Sequence, residues 1–456
     1  MGDEGRRHLR IVTGMLLLGL GLLVAAGLGI AALEVLITRA DVAAALVLGS
    51  VVVQAFFVDK VPALILPGEV QVYVTDVVAS LVVGAGVLRL LRQRRFDRYQ
   101  RWLLLLSVLL LVSFIRGVAA FGMQQSVNEL RHHLFFAGVA IYFATFPPSA
   151  WLYDRIGRIW LAVSIPMMVL VSLRWLAAFA GIDLGVPAEK FGADAAIRVI
   201  DGPFTFFLAH AFVLTIPALL RGEQERWIRR ISVPLLLFVL LLNRRTVWLA
   251  LVVGVAVLVL RDRRLGRRAL LLVTLGAVVT AVAFVWLGGL QEGSDPAVRS
   301  GSGNLTWRIE GWEALVDAWS HNSTDWAIGQ PVGSGFTREV EGSEVTAHPH
   351  NFYIEIMIRT GLVGLLALIA LTAGLLRALW HTPTRDAGLL GPGVLPALLA
   401  MQLVWCLTWI PGTEQGIVTG IAIAVATAQV RTRNRYARPI TSAPRRELTP
   451  IGNGWR

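Results

Sequence analysis

Two histidines spaced two residues apart, His348 and His350, close the longest polar stretch of the chain and stand directly before Asn351, where an apolar run begins. An asparagine at such a junction is a helix N-cap, its side chain accepting from first-turn N–H groups. The remaining orphan donors and the positive end of the helix dipole face the polar stretch and favour an anion there. The same field disfavours an imidazolium at His350, so the ring stays neutral and suits general-base work. A bound phosphate would push the other way. A histidine at a helix entrance can equally be a polar cap and nothing more. The His-x-His spacing could suggest a metal, but no third nitrogen or thiolate accompanies it, so no metal site is expected.

Arginines supply the complementary chemistry. Arg244 and Arg245 sit together between two apolar runs, flanked by Trp248. A lone arginine at a membrane edge can snorkel to headgroups. Two adjacent ones on a face otherwise poor in positive charge suit a diphosphate, which the planar guanidinium binds in bidentate fashion. Arg308 follows the same logic inside the polar stretch, with Glu310 or Glu313 as its alternative partners. Arg198, Arg338 and His348 are secondary candidates at the same face, and Arg116 is expected to pair with Asp76. Glu355 and Arg359 stand i,i+4 on the helix after Asn351 and can pair along it.

The elements that must position these groups are membrane helices. The chain is 55% hydrophobic and only 16% charged, with a mean hydropathy of +0.65. Apolar runs of roughly 20 residues recur along it. The formal net charge of +12 does not indicate nucleic acid, because the arginines cluster in short loops at 92–101, 221–230 and 261–268 and in the tail. Such loops are cytoplasmic by the positive-inside rule. Cys406 is the only cysteine, which excludes a disulfide framework.

The expected fold is therefore an all-α polytopic membrane protein of about 12 spans. Its organisation reads as a cytoplasmic tail over 1–10, a transmembrane bundle over 11–289, a large external loop over 290–351, C-terminal spans over 352–430 and a disordered basic tail over 431–456. The first apolar run reads as a retained span, not a cleaved signal. Charge parity at the N-terminus does not close, and it is resolved here by having 42–66, broken at Asp59-Lys60 and Pro67-Gly68, fail to cross. In the external loop Trp312, Leu315, Val316 and Trp319 follow helical spacing, so 305–320 reads as an amphipathic helix. Its Trp307, Trp312 and Trp319 suit the membrane interface, and Gly329, Gly333 and Gly335 mark turns.

These residues resemble the O-antigen ligase and polysaccharide polymerase superfamily of bacterial membranes. His350-Asn351, nine intervening residues and then Gly361-Leu362-Val363-Gly364 are similar to that family's histidine–glycine motif. Arg245, the Arg308–Trp312 spacing and Gly333-Ser334-Gly335 are similar to its other elements, over about 230–370. Arg359 departs from the pattern, since relatives carry an acidic residue there. The resemblance implies a GT-C-like, metal-independent and cofactor-free glycosyltransferase of the bacterial inner membrane, with its active site facing the periplasm. It implies that Arg245 and Arg308, with Arg244 beside them, hold the diphosphate of an undecaprenyl-diphosphate-linked glycan. His350 would activate a hydroxyl of a glycan or lipid acceptor. Asn351, Gly361 and Gly364 complete the motif, the glycines read as sites of close helix packing. Transfer of a whole glycan to lipid A-core or a similar acceptor is the leading function, chain extension on the same carrier the second. A lipid-linked oligosaccharide transporter is third, because the informative charges crowd one edge instead of lining many spans.

Overall fold

The computed structural model describes residues 27, 29–57, 64–66, 70–93, 96–182, 199–221, 226–261, 301–321, 323–340, 343–382 and 388–437. The N-terminal tail, the breaks at Asp59-Lys60 and Pro67-Gly68, Arg198, the apolar run at 268–289 and the tail beyond 437 lie outside them. The described chain is mostly helical. In order it contains α1 (Gly29–Thr38), α2 (Ala40–Phe57), α3 (Val74–Arg92), α4 (Arg98–Phe121), α5 (Met123–Ala144), α6 (Ala150–Phe179), α7 (Gly202–Arg221), α8 (Arg226–Leu241) and α9 (Arg245–Arg261). Then follow α10 (Gly301–Ser320), α11 (Ser323–Ile328), α12 (Phe352–Trp380), α13 (Leu395–Trp405) and α14 (Thr413–Ala437). Two short hairpins, β1 (Leu64–Leu66) with β2 (Val70–Val72) and β3 (Thr337–Val340) with β4 (Ser343–Thr346), lie in connections.

Among the described residues six helices, α2, α3, α4, α6, α7 and α12, are long and apolar enough to cross a membrane. Ala40–Phe57 is one of them, so by length and composition this helix is able to cross, where 42–66 was expected to fail to cross because of its breaks. α5 begins at Met123, which brings Glu129 and His133 into it as buried residues. α14 runs on to Ala437, past the expected boundary at 430. It packs on α5 through Gly416 and Gly420, where a Cβ would lie 2.6 Å from Phe136 O and 2.5 Å from Ala140 O. Small residues at this spacing let two helix backbones approach closely in lipid.

The amphipathic helix expected at 305–320 is present as α10. Leu315 and Trp319 are buried against Phe336 and Ile358, so its apolar stripe packs on α12. Two of its tryptophans spend their indole donors inside the protein: Trp312 donates to Pro349 O at 2.6 Å and Trp319 to Asp325 O at 3.0 Å. Positive φ values at Gly329, Gly333 and Gly335 match the expected turns. The β3–β4 hairpin, in register from Thr337↔Thr346 to Val340↔Ser343, was not legible as alternation.

Gly361 does more than permit packing. Its φ of +68° and ψ of −174° break α12 in mid-course. A Cβ there would lie 2.4 Å from Ala327 O, and one at Gly329 would lie 2.3 Å from the Arg359 carbonyl carbon. The end of α11 thus sits in the break, and Gln330 N–H donates to Ile358 O at 2.6 Å. An irregular turn within an apolar helix is tolerated where protein groups satisfy the freed backbone. Gly364 leaves room for the Thr360 side chain, which donates to Ile356 O at 2.6 Å.

Gly361→Ala is expected to destabilise the protein in detergent by about 1–3 kcal/mol from a backbone conformation that essentially only glycine adopts, with overpacking adding about 1–3 kcal/mol. Gly49→Ala, where a Cβ meets nothing within 4 Å, is expected to leave the melting temperature unchanged or slightly raised.

Candidate functional site at the entrance of α12

α12 begins where its cap dictates. Asn351 Oδ1 accepts from the N–H groups of Tyr353 at 3.1 Å and Ile354 at 3.2 Å, satisfying two of the orphan donors. His350 lies just outside, with a φ of +50°. That left-handed conformation is uncommon for a residue with a side chain and is a form of stored strain. Its half-buried ring meets Trp409 edge-on at 5.3 Å. Burial, then the charge of Arg308, then that of His348 hold the His350 imidazole down to about 4. It is therefore neutral at neutral pH.

An aromatic stack extends from His350 into the bundle. Trp409 stacks on Trp405 at 5.4 Å, and Trp405 on Phe206 at 4.6 Å. A Cβ at Gly202 would lie 3.0 Å from Trp405 and 3.2 Å from Trp409, so the start of α7 presses on the stack. Just before it, Ile200 O accepts from Arg244 at 2.8 Å and the Asp201 carboxylate stands 3.8 Å from the same guanidinium. Arg244 is thereby committed to the chain ahead of α7, while Arg245 is the first residue of α9.

Beneath the His350 loop lies a cluster of buried charge. Arg359, 1% exposed, forms an ion pair with Glu129 of α5. It also donates to Pro331 O at 3.0 Å, Ser334 Oγ at 2.6 Å and Gly335 O at 2.6 Å. Its guanidinium carbon stands 4.2 Å from the centroid of the Phe336 ring. Glu129 accepts in turn from Gly333 N–H at 2.9 Å. The expected Glu355–Arg359 pair is thus replaced. Glu355, fully buried, instead faces two imidazoles, His133 Nε2 at 3.4 Å and His348 Nδ1 at 3.5 Å. Because residues i and i+4 also face other helices, tertiary partners displaced the local one.

Arg308 and Arg338 approach from the polar segment that precedes α12. Arg338 donates to Phe336 O at 2.9 Å and Ala347 O at 2.7 Å, so it clamps the hairpin to the His348 segment. Arg308 is half-buried, and its Nε is shielded from solvent without a hydrogen-bond partner. Among the described residues it forms no ion pair, with Glu310, Glu313 or any other carboxylate. Burial draws its guanidinium below the ordinary range, and an anion would reverse that effect. The expected Asp76–Arg116 pair is also replaced: Asp76 pairs with Arg131 at 3.3 Å and Arg116 donates to Gly329 O at 2.8 Å.

The structure thus gathers His350, His348, Asn351, Arg308 and Arg338 at one place, and puts Gly361 and Gly364 roughly three turns further along α12. Glu129, His133 and Trp409 were missed. The run Glu129-Leu130-Arg131-His132-His133 carried a usable signal, since charge at the entrance of an apolar run defaults to a paired or functional role.

Residues 231–369 match the family model described as O-antigen ligase. Comparison with curated proteins found no match.

Arg359→Met leaves Glu129 as an uncompensated buried charge. It is expected to cost about 3–5 kcal/mol, read as a loss of thermal stability in detergent. Adding Glu129→Leu is expected to restore part of that loss.

Proposed function

We propose that this chain, a member of the O-antigen ligase-like superfamily of bacterial inner-membrane glycosyltransferases, moves a glycan from an undecaprenyl diphosphate carrier to an acceptor hydroxyl at the outer face of the membrane. The observation that carries the reading is the coupling of two groups. Arg308 has a half-buried guanidinium with no carboxylate of the described residues paired to it, and its charge helps to keep His350 neutral. A cation awaiting an anion beside a neutral base is what glycan transfer from a diphosphate requires.

In this reading Arg308 and Arg245 bind the diphosphate bidentately, and Arg244 holds the start of α9 through Ile200 and Asp201. The acceptor oxygen attacks the anomeric carbon of the carrier-linked sugar. The bond from that carbon to the phosphate oxygen breaks, and the electron pair leaves on the diphosphate, where the arginines offset the developing charge. His350 takes the hydroxyl proton. The strained backbone at His350 and the edge-on contact with Trp409 fix the ring's direction. The chemistry needs no metal. Transfer of a finished glycan to lipid A-core or a similar lipid is the first reading. Extension of the chain on the same carrier uses the same groups and differs in the acceptor, so a single product against a ladder of lengths separates them.

With purified protein and carrier-linked glycan, His350→Ala is expected to lower kcat by about 10²–10⁴-fold at retained stability. Full activity in a folded variant would overturn the base assignment. Arg308→Ala is expected to weaken carrier binding by roughly 10-fold or more.

The pH profile offers an independent check. His350 must be deprotonated to act, and its titration lies at about 4 in the free protein. The acid limb of kcat/KM is therefore expected near that value and not near the ordinary 6.5. The limb in kcat is expected higher, since bound diphosphate favours the imidazolium.

A further inference from the structure

His348 is not required by the reaction just described, yet its surroundings are the more specialised of the two histidines. Its Nδ1 is shielded from solvent and faces the Glu355 carboxylate at 3.5 Å, while the side chain as a whole is 41% exposed. The exposed part is therefore the opposite ring edge, which carries Nε2 and lies on the same loop as His350. Glu355 itself is fully buried, and among the described residues the other titratable group close to that oxygen is His133 at 3.4 Å, itself buried. A buried carboxylate is held by a partner that bears the compensating proton. Of the two imidazoles, only His348 can hydrate such a charge on its far side.

We propose that His348, with Nδ1 directed at Glu355 and its Nε2 edge open beside His350, is a cationic hydrogen-bond donor to the diphosphate of the lipid-linked donor. Glu355 acts as its positioning residue. The inference rests on the reading of the site as a diphosphate site. The two histidines then divide the work. His350, with no carboxylate of the described residues paired to it, remains the neutral base, and His348 adds to Arg308 a charge that stabilises the leaving group. Environments that push two neighbouring titratable groups apart mark such a division. Burial draws the His348 imidazole down, but the contact and charge of Glu355, with Glu129 adding, outweigh it, and the net direction is upward. The groups facing it are Glu355 and Arg359 on α12, Glu129, His132 and His133 on α5, Arg338 at the hairpin and His350 on its own loop. The carboxylates favour the proton and the cations oppose it.

The test uses the full-length protein in nanodiscs and a P1-undecaprenyl P2-glucosyl diphosphate as probe. Both phosphates of this probe are singly charged throughout the range, so the ligand itself does not titrate. Binding is measured between about pH 6 and pH 9, a window that brackets an upward-shifted imidazole. Wild-type affinity is expected to fall roughly tenfold as pH rises and His348 loses its proton. His348→Gln is expected to bind at low pH as weakly as the wild type does at high pH, with a flat profile. Glu355→Gln keeps the shape of the site and is expected to move the fall to lower pH. Wild-type binding that ignores pH, or His348→Gln indistinguishable from wild type while Arg308→Ala is weakened, would overturn the role of His348 and leave the diphosphate site standing. Equal binding by wild type and Arg308→Ala would overturn the diphosphate reading and this inference with it.

Discussion

The buried guanidinium of Arg359 is the constraint on which the site depends. One side chain satisfies Glu129 of α5, three groups of the 331–335 turn and the face of Phe336. It thereby fixes α5, the polar segment before α12 and α12 itself against one another. Removing a cation from such a place leaves an unpaired carboxylate in low dielectric, so the arrangement resists partial change. It also determines what Glu355 does. With Arg359 turned to Glu129, the Glu355 carboxylate pairs among the described residues with two imidazoles, and one of them belongs to the loop that carries His350.

The break at Gly361 serves the same end. It lets α11 and Gly329 enter the course of α12, and Gln330 takes up a carbonyl that the break releases. The polar loop is thus anchored below its own exit, by backbone, while Trp312 and Arg338 anchor it above through Pro349 and Ala347. Between these two attachments the His-Pro-His segment has little freedom, which is what a reacting geometry needs.

On the other side of His350, Trp409, Trp405 and Phe206 form a stack that reaches the start of α7, beside the chain that holds Arg244. The site is therefore assembled from segments separated by more than two hundred positions in the sequence, from Glu129 to Trp409. The family match covers 231–369 and so omits both of those residues.

What the sequence determined by itself was local. Apolar runs specify membrane helices because length and hydropathy are properties of a segment, and Asn351 specifies a cap because capping involves only the next three residues. The amphipathic helix with Trp312 and Trp319, the turns at Gly329, Gly333 and Gly335 and the polar His350 at a helix entrance were legible for the same reason. The partners were not. Arg359 has a carboxylate four residues away, yet it pairs with one on another helix. Asp76 pairs with Arg131 instead of Arg116, and Gly361 breaks a helix that its neighbours would continue. In lipid, each buried charge takes whichever counter-charge packing brings within reach, because an unpaired one is too costly to keep. That choice depends on how helices distant in sequence meet, and only the tertiary structure decides it.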